Sequence, residues 1–419
     1  MKESNKKKIS LTNQILIATV IGIAAGVFLG PQIAPIKFIG DIFLRLILMG
    51  VPLIILSSVT IAVGQISPRD LGKLGFKIFA WFLGGTIVSA IIGIATGYIV
   101  KPGLGLPSMD LETTLQPTSQ GILETFVNFI PNNIIDSLAK ANMIHIIVFS
   151  LFLGVAVSSY TEKTGDRSII NGLTKFNGIL LIIIKSVMKI APLGVGALIA
   201  VVSGQMGIQV LQLMFKYLGG LLIACALIMI VAIFVTATIV KVNPFKLARK
   251  LGNMTLVAAT TTSSAITLPT KMDDSVNKLG VSKRISDLVN PLGMAMNSCG
   301  QAIFMSMASL MLLQFFGIDA SLGNVIKIVA VATLGCMGSL AVPGGGLVVF
   351  VSMMPVLGLP PEGIALIAGV DWFRGAITTI PNVDVDALVS LIIANGEGEF
   401  NREIFDGKAM SVEVASEAV

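Results

Sequence analysis

The chain has 419 residues, of which 54% are hydrophobic and only 12% charged, about half the charged share usual in soluble domains. With 43 glycines and several apolar runs of spanning length it reads as a polytopic membrane protein. The formal charge of +6 then reports basic loops beside a bilayer and not a nucleic-acid partner, and Cys225, Cys299 and Cys336 lack the spacing of a disulfide frame or a zinc site.

Met1 to Lys8 is basic and no small-residue cleavage site follows, so the first apolar run is expected to be a retained helix. Apolar segments lie near 10–30, 38–66, 77–101, 122–160, 172–203 and 208–240, and Pro131-Asn132-Asn133 predicts several short helices within the fourth. Basic residues fall in alternate loops: Lys6 to Lys8, then Arg69, Lys73 and Lys77, then Lys163, Arg167 and Lys175, then Lys241, Lys246, Arg249 and Lys250. The connectors 104–121 and 204–209 have none. The positive-inside rule therefore predicts a cytoplasmic N-terminus and six crossings before residue 241.

Residues 251–270 are apolar but rich in hydroxyls, and Lys271, Lys278, Lys283 and Arg284 follow them. A full crossing would put basic clusters on opposite faces, whereas a re-entrant hairpin turning near Thr262-Ser263-Ser264 keeps both in the cytoplasm; the alternative is an ordinary kinked helix. A seventh helix is expected over 285–316. Glycines around Pro343 disfavour an unbroken helix over 322–358, since glycine costs about 1 kcal/mol and proline about 3 in a helix interior. A second hairpin from the outer face, a last crossing over 361–395 and a cytoplasmic polar tail complete an inverted repeat. Such repeats hold solute and ions near the midplane.

The last crossing carries Asp371, Arg374, Asp384 and Asp386 beside Thr378, Thr379 and Asn382. An ionised group at the bilayer centre costs at least ~2.5–3.5 kcal/mol, so these residues are candidates for function. Arg374, Thr378 and Asn382 share one helical face, and Pro381 removes an amide donor, which frees carbonyls suited to a hard cation. Asn297-Ser298-Cys299-Gly300-Gln301 is a polar break in the seventh helix that could supply facing ligands. Simpler roles suit other residues: an Asp41–Arg45 ion pair, snorkelling Lys185 and Lys189, a hydrogen-bonded packing role for His145, and a neighbour or dipole partner for Asp371.

GDIFLRLILMGVPLIILSS, ISPRDLGKLG, TTTSSAITLP, NPLGMAMNSCGQA, AVPGGG and DWFRGAITTIPNVDVD occur in an order that resembles the dicarboxylate/amino acid:cation symporter family over nearly the full length. The family includes the glutamate transporters. The resemblance implies an all-α fold of eight transmembrane helices plus two re-entrant hairpins, assembled as a homotrimer in the cell's inner (plasma) membrane. It implies a scaffold (1–70 and 121–205), an elevator-like transport domain (71–120 and 206–395) and a cytoplasmic tail (396–419). By position, Asn382 and Asp386, with backbone oxygens of Gly293 and Asn297, match the family's sodium ligands. Ser263 and Ser264 match the first hairpin tip that contacts substrate, Val342 and Gly346 the second hairpin's gate, and Thr379 a substrate-facing threonine. Cys299 stands where the family's seventh-helix motif has aspartate, and Gln301 where it has a threonine. Gly375 replaces the aspartate that holds an amino group, and Thr378 the arginine that holds an acidic side chain. Arg374, one turn before Thr378, can reach the same space, or pair outside the pocket, and Asp384 is a possible replacement carboxylate.

The function expected is sodium-coupled symport of a small organic solute, carboxylate or amino acid. Proton-coupled dicarboxylate symport and a solute-gated channel are the alternatives. An enzyme would need a nucleophile–base or metal constellation that one histidine supplies poorly.

Overall fold

The computed structural model describes residues 11–65, 74–104, 127, 130–337 and 345–408, and every regular element among them is a helix. The expectations at Met1 to Lys8, Arg69, Lys73, Val342 and Pro343, and most of the 104–121 connector, lie outside the described residues.

Helix α1 (Leu11–Leu29) runs through a 3-10 turn at Gly30–Ile36 into α2 (Lys37–Leu48), and α3 (Val51–Gly64) follows. One helix is expected over 38–66, but the chain breaks at Met49-Gly50 and restarts with Pro52 in the first turn of α3, where a missing amide costs nothing. Arg45 is exposed and no ion pair joins it to Asp41, so that expected pair is absent. An exposed pair gains only about 0–1 kcal/mol, too little to hold two side chains in one geometry.

Next come α4 (Phe76–Val100), α5 (Ile134–Ala139), α6 (Met143–Thr164), α7 (Ser168–Met188), α8 (Ala191–Met206) and α9 (Gln209–Val240). Asn133 and Asn142 cap α5 and α6 through their side-chain oxygens, which is why the fourth apolar segment splits where its sequence suggests. His145 takes the hydrogen-bonded role expected of it, 3.0 Å from Ser137 Oγ through Nδ1.

The second half contains α10 (Pro244–Thr261), α11 (Ser264–Asn277), α12 (Lys283–Met296), α13 (Cys299–Phe315), α14 (Leu322–Met337), α15 (Gly345–Met353), α16 (Ala365–Ala368), α17 (Asp371–Gly396) and α18 (Arg402–Asp406). Helices α10 and α11 pack together around a turn at Thr262, whose φ is 52°, and Ser263 caps α11. Lys250 Nζ donates to the Lys278 carbonyl at 2.8 Å, so the far ends of the pair also meet.

Seven helical stretches among the described residues are long and apolar enough to cross a membrane. In the most apolar window of Lys283–Phe315, 94% of residues are buried, against 17% for Ser168–Met188. The broken α12–α13 helix is therefore the axis of the molecule, and α7 lies on its rim. Helices α1, α2, α3, α6, α7 and α8 pack mainly on one another, and α4, α9 to α14 and α17 form a second group. The first part of the expected polar tail packs back onto the helices. Asn401 donates to the Gly280 carbonyl at 2.7 Å, Lys246 pairs with Asp406 at 2.7 Å, and Phe405 is buried.

Candidate functional site

Asn297, in an extended conformation, and Ser298 leave the helical path, and this break leaves the first amides of α13 without carbonyls inside the helix. Asn382 supplies the acceptor: its Oδ1 takes Gly300 N at 2.7 Å and Gln301 N at 3.4 Å. A side chain at Gly300 would overlap the Thr378 carbonyl, so glycine permits α13 and α17 to approach closely enough for that contact. Thr378 and Thr379 are buried here, and Thr379 Oγ1 bonds back to the Gly375 carbonyl at 2.8 Å.

Arg374 forms one centre of the site and is only 4% exposed. Its Nε donates to Asp371 Oδ1 at 2.6 Å and its Nη1 to Gln301 Oε1 at 3.3 Å, while the guanidinium lies 4.3 Å from the centre of the Phe304 ring. Gln301 Nε2 in turn donates to the Gly346 carbonyl at 3.1 Å. Any side chain on Gly346 would collide with Gln301 and Arg374. Nη2 has no protein partner among the described residues. The first hairpin tip approaches from another direction, with Thr262 against Gly375. Ser263, next in sequence, is buried, and Ser264 is half-buried.

Asp386 forms the second centre and is 0% exposed. Its Oδ1 accepts from Asn297 Nδ2 at 2.8 Å and its Oδ2 from Lys271 Nζ at 2.6 Å. Gly293 is pressed against the same carboxylate, which any side chain there would displace. Of the four residues expected to hold sodium, Gly293, Asn297 and Asp386 thus meet at one point. Asn382 lies one helical turn away on the helix break. Asp384 points elsewhere: its Oδ2 accepts from Thr255 of α10 at 2.7 Å, so it is no partner for Arg374.

Lys271 departs from its expected place in a cytoplasmic basic cluster, because it is fully buried and also donates to the Asn290 carbonyl at 3.1 Å. A bare ammonium could not be buried, but one with a carboxylate and a carbonyl can. Asp274, equally buried, is held by Lys278 and Asn253, and Asn290 by Ser275 and Ser286. The sequence carries a signal for this arrangement, since Thr267, Lys271, Asp274 and Ser275 fall on one face of α11. That face points inward, while Ile266 is exposed.

Residues 11–395 match the family model described as the sodium:dicarboxylate symporter family. A proton/sodium-glutamate symport protein of Bacillus caldotenax is 33% identical over 414 residues, 95% of this chain and 97% of that protein. One of the same name from Bacillus subtilis (strain 168) is 32% identical over 407 residues, covering 94% of each. A C4-dicarboxylate transport protein of Bacillus subtilis (strain 168) is 31% identical over 405 residues, again covering 94% of each.

Proposed function

Because this chain belongs to the sodium:dicarboxylate symporter family, a family of multi-pass membrane transporters and not of enzymes, we propose that it is a sodium-coupled symporter of a small dicarboxylate. The observation that carries this reading is the buried Arg374 guanidinium, positioned by Asp371 and Gln301, with Nη2 bonded to none of the described residues. Guanidinium suits a carboxylate because it stays charged at any working pH and offers parallel donors. Gly375, where amino-acid carriers of the family hold the substrate's amino group with an aspartate, favours a solute without one. Thr378, Thr379, Gln301, Gly346 and the first hairpin tip at Ser263 and Ser264 then surround the solute, and Val342 belongs to the same proposed set.

The chain carries this solute as an elevator. The group of α4 and α9 to α17 moves against α1 to α3 and α6 to α8, eight membrane crossings and two re-entrant hairpins in all. The assembly is a homotrimer in the inner (plasma) membrane with both termini cytoplasmic. Coupling is set at the polar centre of Asn297, Gly293, Asn382 and Asp386. A proton-coupled version is favoured by one observation, that the Asp386 carboxylate already has the Lys271 ammonium as its partner.

Proteoliposomes separate these readings. Labelled C4-dicarboxylates should accumulate against their gradient under an inward sodium gradient, with glutamate and neutral amino acids carried less well. Accumulation under a proton gradient alone would select the second version. Equal solute flux with and without any cation gradient would overturn symport itself.

A further inference from the structure

We propose that Lys271 is a tethered cation that takes the place of a dissolved coupling ion at Asp386, so that this centre completes its charge without sodium. The inference rests on the cation-coupled reading above and assigns a role to a residue outside the expected ion set. The groups around the Asp386 carboxylate and its Lys271 partner come from several elements. Lys271 comes from α11, Gly293 and the Asn290 carbonyl that Lys271 also contacts from α12, and Asn297 from the helix break, while Asp384, two positions earlier in α17, accepts from Thr255. Lys271 is the positive charge among them.

Asp384 Oδ2 takes the Thr255 hydroxyl and the nearby Asp274 pairs with Lys278, so Asp386 is the carboxylate in direct contact with the Lys271 ammonium. That ammonium touches one carboxylate oxygen at 2.6 Å and one main-chain carbonyl at 3.1 Å, the two kinds of oxygen that a hard cation would take. Lysine and aspartate are both fully buried, so a sodium ion could reach Asp386 only by displacing a charge that is covalently held. The tether carries its own high local concentration and does not leave with the solute. The chain would therefore couple one sodium ion fewer than a relative with a neutral residue at this place.

The test uses purified full-length protein and reads the rise in melting midpoint between sodium-free and 100 mM sodium buffers, with choline as the balancing cation and no solute present. Lys271→Met keeps the length of the side chain and removes its charge. It should gain a sodium-dependent rise of about 5 °C over wild type, because a vacated anionic site now binds sodium. The gain should vanish in the Lys271→Met/Asp386→Asn double variant. A single variant with the same sodium response as wild type would overturn the proposal, as would a gain that persists in the double variant. If Lys271→Met does not fold, the double variant, with no charge left unpaired, decides alone. A sodium response equal to that of wild type supports the tethered cation, and a smaller one shows that wild type held sodium at Asp386. Melting needs no substrate, so failure of the solute assignment in proteoliposomes stays distinct from failure here.

Discussion

Arg374 gives Nε to Asp371 and Nη1 to Gln301, and its guanidinium carbon lies 4.3 Å from the centre of the Phe304 ring. Lysine at this place could keep only one of those contacts at a time. Arg374→Lys should therefore raise the apparent dissociation constant for a C4-dicarboxylate by at least about tenfold, roughly 1.4 kcal/mol, when titrated at saturating coupling cation. A change within about threefold would move the solute class toward uncharged compounds. The charges of α17 were legible in the sequence because each is costly in a bilayer and so has to have a use. Their partners were less legible. Asp384 reaches Thr255, 129 positions away, and no local pattern announces that contact. Lys271 was hidden by its neighbours, since a lysine followed by Lys278, Lys283 and Arg284 looks like part of an interfacial cluster. Only its spacing from Thr267 and Ser275 marks the buried face of α11.

Helices α10 and α11 turn at Thr262 and meet again at Lys250 and Lys278, which is what a segment that enters and leaves by one face requires. Cysteines at Gly252, where an added side chain meets nothing within 4 Å, and at the exposed Lys283 should therefore be labelled from the same side of the membrane. Labelling from opposite sides would make the segment a crossing. That end is clasped by the tail. Ser282 and Arg284 hydrogen-bond Glu399, and Arg402 donates to the Val240 carbonyl at 3.0 Å. The Arg284 guanidinium, then the Ser282 hydroxyl, holds Glu399 below its ordinary carboxylate range, and Lys246 does the same for Asp406. Groups lowered in the folded state stabilise it fully above their unfolded pKa and lose that contribution as pH falls through the folded value. Hydrogen exchange at 278–284 and 399–406 should accordingly rise below about pH 4, before exchange in α12 and α13. Glu399→Gln should flatten that dependence, and a pH-independent clasp would refute the assignment. Hydroxyl-rich and polar breaks foretold the turn at Thr262 and the split at Asn297. The interruptions at Met49-Gly50 and Lys189-Ile190 were not legible, because an apolar run of spanning length looks continuous whether or not its helix is. The packed tail was missed for the converse reason, that its polar composition conceals a single buried anchor, Phe405.

Two groups of helices with little packing between them are what an elevator needs, because the moving group has to slide without unmaking a core. The hydrophobic core nevertheless runs from Phe43 and Val59 in the outer group to Phe304 and Val348 in the inner one, so the boundary is largely apolar, with the Lys37–Glu362 pair reaching across it at 3.6 Å. Dispersion and burial are non-directional, and a smooth apolar seam can keep its area through a translation that hydrogen bonds would resist. One place on this seam offers a lock. Thr19 of α1 lies against Gly369, just ahead of α17, and a side chain added at Gly369 would come 2.9 Å from the Thr19 methyl group. Cysteines at both positions fall within disulfide reach. The native Cys225, Cys299 and Cys336 are all buried, and the chain without the engineered pair, oxidised in parallel, is the control. Oxidised Thr19→Cys/Gly369→Cys protein should still bind solute in detergent, since neither residue belongs to the site. Its accumulation of solute in proteoliposomes should fall at least about tenfold and return with reductant, for a covalent tie across the seam forbids a translation of several ångströms. Full transport by the crosslinked protein would mean that the seam does not move, and that solute passes by local opening of the hairpins within a static bundle.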